Sequence, residues 1–242
     1  LPLVLFPLMA GSVGLVMGYY YQQKSSSFFP VLAGLLTYLA NYTLYIFIAY
    51  FMTGANAFDY FQQAIESQLT ASNRTRFAPG VEGDLDQLID ESISMLTQLL
   101  PGWLIISSIV LALLNHYAAR KMLNRFGLEI DPLPPFRRWN LPKAVLYYYL
   151  VALFLLLFKI VEQGSRLYMP VLNFNFVLEI LLLIQGLSLV AHLFYLKGIN
   201  RLLLVIVAGL SFIPLIGSLI RVAGILDLGF NLKERLNHAL RS

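Results

Sequence analysis

Cysteine is absent from the 242 residues, which excludes a disulfide framework, thiolate chemistry and a zinc–thiolate site. Charge is scarce as well. Only 12% of residues are Asp, Glu, Lys or Arg, against about 25% in an ordinary soluble domain. A globule with so little charge could not wet its own surface. That excludes a cytosolic enzyme, a disordered chain and a nucleic-acid-binding domain. Histidine occurs three times, never at a spacing that puts two rings on one helical turn, so no metal site is expected. Catalytic signatures are missing: there is no HExxH, no GxSxG, no Walker loop. Nor do paired carboxylates occur within an apolar run. The chain reads as a non-enzyme without cofactor.

Apolar residues are what the chain has in abundance, at 58%, with a mean hydropathy of +0.71. A membrane-spanning helix needs about 20 mostly apolar residues. Stretches over 1–21, 29–53, 99–118, 144–162, 174–196 and 202–226 meet that need. Hydrocarbon leaves backbone polar groups no partner but one another, so such runs must be helices or barrel strands. Runs this long without period-two alternation exclude the barrel. The expected fold class is therefore all-α. It is a polytopic transmembrane bundle of about six spans, forming a single integral domain over 1–242. Pro214, Gly217 and Gly224 predict that the last span kinks, breaks or re-enters.

The net charge is +4, and its placement orients the chain. Arg120, Lys121, Arg125, Arg137, Arg138 and Lys143 crowd segment 119–143 against Glu129 and Asp131, which marks a cytoplasmic loop. Alternation then puts segment 54–98 outside, in keeping with its seven acids and two arginines. Leu85, Leu88, Ile89, Ser92, Leu96 and Leu99 recur there at helical spacing, and Phe58, Phe61, Ile65 and Leu69 do so earlier. With Pro79-Gly80 in the turn, this predicts an extracytoplasmic amphipathic helical hairpin. Leu1 opens an apolar run with no basic head, which reads as an incomplete N-terminus, either a processed product or a chain lacking upstream residues; alternation puts Leu1 outside, so a native inside N-terminus would need one further upstream span. A re-entrant last span would return the 228–242 tail to the cytoplasm.

Charged and polar groups inside apolar runs are the candidate site residues. Lys159 and Glu179 flank the 163–173 connection symmetrically and are expected to pair, with Glu162 one turn from Lys159. Together with Tyr45, Trp103 and Gln185 they form a candidate ligand pocket in the outer half. The other reading of the pair is a structural ion pair at the interface. Gln185 and His192 share one helix face, His192 reading as a satisfied core histidine. Asn41 reads as a bridge between helices, Tyr147-Tyr148-Tyr149 as interfacial anchors, and Arg221 as a partner for Asp227. Ala10, Gly14 and Gly18 make a small-residue face, for intramolecular packing or for a partner subunit.

Asn115, Ala119-Arg120 and then Pro135-Phe136-Arg137-Arg138-Trp139-Asn140-Leu141-Pro142 resemble the YybS-like family of predicted bacterial membrane proteins. There a basic loop carries a Phe-x-x-Trp-x-x-Pro element that opens the next span. Ile225-Leu226-Asp227 with Arg235 downstream is a second point of similarity. The resemblance implies the bacterial cytoplasmic membrane but carries no established activity. In architecture it is distantly similar to the S components of energy-coupling-factor transporters, which implies a small-molecule binding or transport subunit. The long acidic 54–98 segment departs from the compact outer loops of S components. The alternative is a structural or regulatory protein that recruits a partner at its cytoplasmic face. Arg137, Arg138 and Trp139 are candidates for that docking, or for anchoring to membrane lipid through headgroups.

Overall fold

Leucine-rich runs punctuated by proline at their starts and glycine beyond their ends fold as helices, and all regular structure among the described residues is helical. The computed structural model describes residues 2–23, 28–54, 91–200 and 202–239, with Ser26, Asn56, Asp59, Gln62, Gln63 and Ser67. The chain divides into two compact units, Leu1–Leu133 and Pro134–Ser242.

In the first unit, α1 (Pro2–Gln22) and α2 (Phe28–Thr53) precede α3 (Leu100–Arg125). Helix α2 packs against both others. At Gly34 the approach is close enough that a Cβ would sit 2.8 Å from the Met17 sulfur and 3.5 Å from Ala112 Cβ. Val13, Met17 and Ala112 are buried around this contact. Asn41 Nδ2 donates to the Met9 carbonyl (3.2 Å) and to Ser12 Oγ (3.0 Å), bridging α2 to α1 as expected. Pro101 occupies the first turn of α3, where a missing N–H is harmless. Past its end, Gly127 takes φ +82°, and the chain folds back: Arg120 Nε donates to the Ile130 carbonyl, and the Ile130 N–H donates to Asn124 Oδ1.

The expected hairpin over 54–98 lies mostly outside the described residues. Its last part, 91–98, is helical. The buried face there carries Ile93, Thr97 and Leu99, whereas Ser92 and Leu96, expected inward, are exposed.

In the second unit, a 3-10 turn (Phe136–Arg138) leads to α4 (Ala144–Leu157), α5 (Tyr168–Leu196), α6 (Leu202–Leu210), α7 (Pro214–Phe230) and α8 (Leu232–Ala239). Helix α5 is central and packs on α4, α6, α7, α8 and the 3-10 turn. Its core contains Leu146, Tyr149, Leu178, Leu182 and Leu228. Tyr149 is thus a core residue and not the anchor its neighbours suggest; Tyr147 and Tyr148 remain exposed. The α5–α7 crossing brings backbone against backbone. A Cβ at Gly186 would overlap the Ile220 carbonyl, and one at Gly224 would overlap the Leu182 carbonyl. Small residues at a crossing allow this approach. On α1 the same residue type does something else: among the described residues nothing lies within 4 Å of a Cβ at Gly11, Gly14 or Gly18. Among the described residues α2 meets α1 at Met17, Met9 and Ser12 instead.

Three described helices, Phe28–Met52, Leu100–Arg125 and Tyr168–Leu196, are long and apolar enough to cross a membrane. A fourth crossing is complete if α6 and α7 count as one span, and these are bent by 113° at Pro214. The break expected in the last stretch is thus present. The 144–162 stretch falls short of expectation, because its helix stops after 14 residues. That is about 21 Å of rise, against a hydrocarbon core of about 30 Å. Phe158 bonds back to Phe154 and Lys159 turns left-handed at φ +52°, so the apolar Ile160-Val161 pair does not extend the helix.

Gly186→Ala and Gly224→Ala should each force α5 and α7 apart, at a cost of at least about 1–3 kcal/mol. Thermal unfolding in detergent should show a midpoint several degrees lower for both. Gly14→Ala, with open space and a better helix former, should leave the midpoint unchanged or raise it.

Candidate functional site

The Pro134–Pro142 segment has few ways to fold. Pro135 is extended (φ −58°, ψ 141°), a single 3-10 turn follows, and Trp139 is extended again. Trp139 Nε1 donates to the Pro134 carbonyl (2.8 Å), and the rings of Phe136 and Trp139 meet edge to face at 5.3 Å. Pro142 then stands just ahead of α4, its carbonyl accepting from the Val145 N–H. The loop packs Leu141 against the core of the unit. It is held from beneath by helix α5.

Gln185, Ser188 and His192 lie at i, i+3 and i+7, hence on one face of α5. Gln185 Nε2 donates to Asn140 Oδ1 (3.0 Å) and to Asp227 Oδ2 (2.6 Å), while its Oε1 accepts the Leu141 N–H (3.0 Å). Ser188 Oγ lies 2.7 Å from the Phe136 carbonyl and 3.0 Å from that of Trp139. Lys233 at the start of α8 completes the set. Its Nζ donates to the Trp139 carbonyl (2.6 Å) and Ser188 Oγ (2.9 Å) and forms an ion pair with Asp227 Oδ2 (3.2 Å). Asp227 Oδ1 accepts the Lys233 N–H (3.1 Å), which ties α7 to α8 across Asn231, left-handed at φ 52°. His192 Nε2 and Asn237 Oδ1 are 3.1 Å apart, a further α5–α8 link.

The centre of this network is buried, whereas Asn140 and Asn237 at its edges are exposed. Gln185 is 1% exposed, Ser188 0% and Asp227 2%. Burial pushes the Lys233 ammonium below the usual lysine range, and the Asp227 carboxylate offsets part of that. Both amide hydrogens of Gln185 and all three ammonium hydrogens of Lys233 have acceptors. Such full satisfaction is what makes a buried polar cluster tolerable. The chemistry is that of a latch: it orders the Arg137-Arg138-Trp139 turn without touching the side chains that the turn presents. Arg138 is exposed, Trp139 half-buried, and Arg137 half-buried with its guanidinium 3.7 Å above the Tyr195 ring.

The sequence-based pairings are corrected here. Glu179 bonds Arg221 of α7, not Lys159. Lys159 lies beyond the end of α4 in an exposed turn, while Glu179 faces α7. Asn175 Nδ2 also donates to Glu179 (3.0 Å). Arg221 does not meet Asp227, because six residues along a helix turn them about 120° apart, and Asp227 faces Lys233. Gln185, expected to line a ligand pocket, is spent inside the latch. Glu162 is exposed in the α4–α5 connection. Tyr45 and Trp103 belong to the first unit and are 41% and 43% exposed. Asn140, Ser188, Asp227 and Lys233 were missed as a group. The signal that could have found them is the polar stripe of Gln185, Ser188 and His192 on an otherwise apolar helix, which demands a polar element opposite.

Two cavities are lined by other residues. One, of about 430 Å³, lies in the second unit among Phe136, Arg137, Phe194, Tyr195, Ile199 and Leu204. The other, of about 550 Å³, lies in the first unit among Gly18, Tyr21, Gln22, Leu123, Leu128 and Glu129. Tyr21 Oη is 2.9 Å from His116 Nδ1 there. Among the described residues no cluster of His, Asp and Glu could hold a metal.

Asp227→Asn should strand the Lys233 charge and cost about 3–5 kcal/mol. The double change Asp227→Leu with Lys233→Met should cost distinctly less. Unfolding midpoints of the two variants in one detergent decide this; equal losses would mean that the pair is not coupled.

No solved structure matches the chain. It is 28% identical over 233 residues to the uncharacterised protein YybS of Bacillus subtilis (strain 168), covering 94% of this chain and 74% of that one. Residues 1–228 match the family described as predicted membrane protein, DUF2232. With nearly the whole chain inside that match, and with helices of membrane-crossing length and apolarity behind it, the chain belongs to the DUF2232 family of predicted membrane proteins.

Proposed function

We propose that the chain is a multi-pass protein of the bacterial cytoplasmic membrane with a structural or regulatory role: it holds a protein partner at the cytoplasmic face through its basic turn. The latch beneath Phe136–Pro142 is the observation that carries this reading. A loop ordered in advance loses little conformational freedom on binding, and that lowers the cost of recognition. Arg138 and Lys143 are exposed around it, which suits an acidic partner surface. The cation excess of 119–143 supports the cytoplasmic orientation. The open face of α1 at Ala10, Gly14 and Gly18 offers a second surface, within the bilayer, for a partner helix.

The second reading, a small-molecule binding or transport subunit similar to an S component, is favoured by the cavity of about 550 Å³ in the first unit. That volume lies within the roughly 300–1,000 Å³ typical of ligand sites. Gly18, Tyr21, Gln22 and Glu129 would line such a site, rather than the outer-half residues Tyr45, Trp103, Lys159, Glu162, Glu179 and Gln185.

In-cell crosslinking discriminates the two. The charge-reversed variant Arg138→Glu with Lys143→Glu should lose a specific crosslinked protein while keeping wild-type abundance and unfolding midpoint. An unchanged set of crosslinked proteins would overturn the docking reading.

A further inference from the structure

Arg137 is held in an unusual way. Its guanidinium face stacks on Tyr195, and among the described residues its N–H edge has no carboxylate or carbonyl partner. It lines the cavity of about 430 Å³, whose walls are otherwise mostly apolar, with Pro135, Phe136, Ala191, Phe194, Ile199 and Leu204 beside Tyr195. That combination, one planar cation stacked on an aromatic ring beside mostly apolar walls, matches an amphiphile with an anionic head. Stacking consumes the face of the guanidinium and leaves the edge, the part that bonds a phosphate with two parallel N–H donors.

The surrounding charge points the same way. Arg137, Arg138, Lys197 and Arg235 belong to the elements toward the α5 C-terminal end of the second unit, against Glu234 and the already paired Asp227. The cavity sits where α5 ends and the Lys197–Asn200 connection begins, the level at which an apolar helix of 29 residues would leave hydrocarbon for headgroups. Aromatic side chains of Trp139 and Tyr195 at this level fit an interfacial position. Basic pockets between helices on that side of a membrane are where anionic headgroups lodge.

We propose that this cavity is a site for an anionic glycerophospholipid. Its phosphate is bound by the N–H edge of Arg137, and the upper part of one acyl chain lies against Phe194, Ile199 and Leu204. This does not depend on the partner-docking reading, which uses Arg138 and Lys143.

Native mass spectrometry of the detergent-purified chain with equal amounts of phosphatidylglycerol and phosphatidylcholine tests it. The wild type should retain phosphatidylglycerol preferentially. Losing a charge-assisted bond pair should weaken that preference about tenfold in Arg137→Gln, and Leu204→Trp, which fills the slot and leaves the cation in place, should reduce retention of the lipid as well. Excess inorganic phosphate should fail to displace the lipid, since it lacks the chain. Equal retention of both lipids by the wild type, or undiminished preference in both variants, overturns the proposal. So does displacement by inorganic phosphate. Should Arg137→Gln fail to fold, the wild-type selectivity, the phosphate competition and Leu204→Trp still decide the matter.

Discussion

The second unit depends on an ion pair that ought to be expensive. Asp227 and Lys233 meet where almost no solvent reaches, and removing two charges from water costs several kcal/mol per ion unless every lone pair and proton is used. Here they are used. Gln185 takes one lobe of the carboxylate, the Lys233 backbone takes the other, and the remaining ammonium hydrogens reach Ser188 and the Trp139 carbonyl. Three chain segments far apart in sequence, around residues 140, 185 and 227–233, are thereby fixed to one another. What this arrangement yields is less stability than uniqueness of placement: only one register of α5 on α7 completes it.

That register has its own requirement. Gln185 reaches Asp227 only if the helices touch at their backbones, and Gly186 and Gly224 make the touch possible. The glycine contact and the polar contact are therefore one device, apolar closeness on one side of Gln185 and hydrogen bonding on the other. The turn above inherits its order from it. Two prolines restrict the backbone, the latch fixes its position, and Arg137, Arg138 and Trp139 are presented at the surface as a consequence. A second ion pair among the described residues, Glu179 with Arg221, joins the same two helices near their middles and gives the crossing a second polar clamp.

Much of this was legible in the sequence. Scarce charge and long apolar runs sufficed for the membrane character and the helical structure, Pro214 with its nearby glycines for the break, and a lone amide in an apolar run for Asn41 as a bridge. Local chemistry sets those features. The pairings were not legible, because helix contacts between sequence-distant segments choose them. Symmetry about a loop suggested Lys159 for Glu179, but α4 ends early at a left-handed residue, and α7, not α4, presents the cation. Counting turns along α7 would have shown that Arg221 and Asp227 diverge. Gln185 looked like a ligand group for the same reason that it is a latch: a buried amide must bond something, and sequence alone does not say whether that something is a ligand or another part of the chain.

The claim at the centre is that Gln185 holds the basic turn through the Leu141 amide. Hydrogen exchange of that amide in the detergent-solubilised protein tests it most directly. The account predicts slow exchange in the wild type and exchange faster by orders of magnitude in Gln185→Leu, with the α5 amides around Leu178–Leu182 still protected. An amide at Leu141 that exchanges equally fast in both proteins would contradict it.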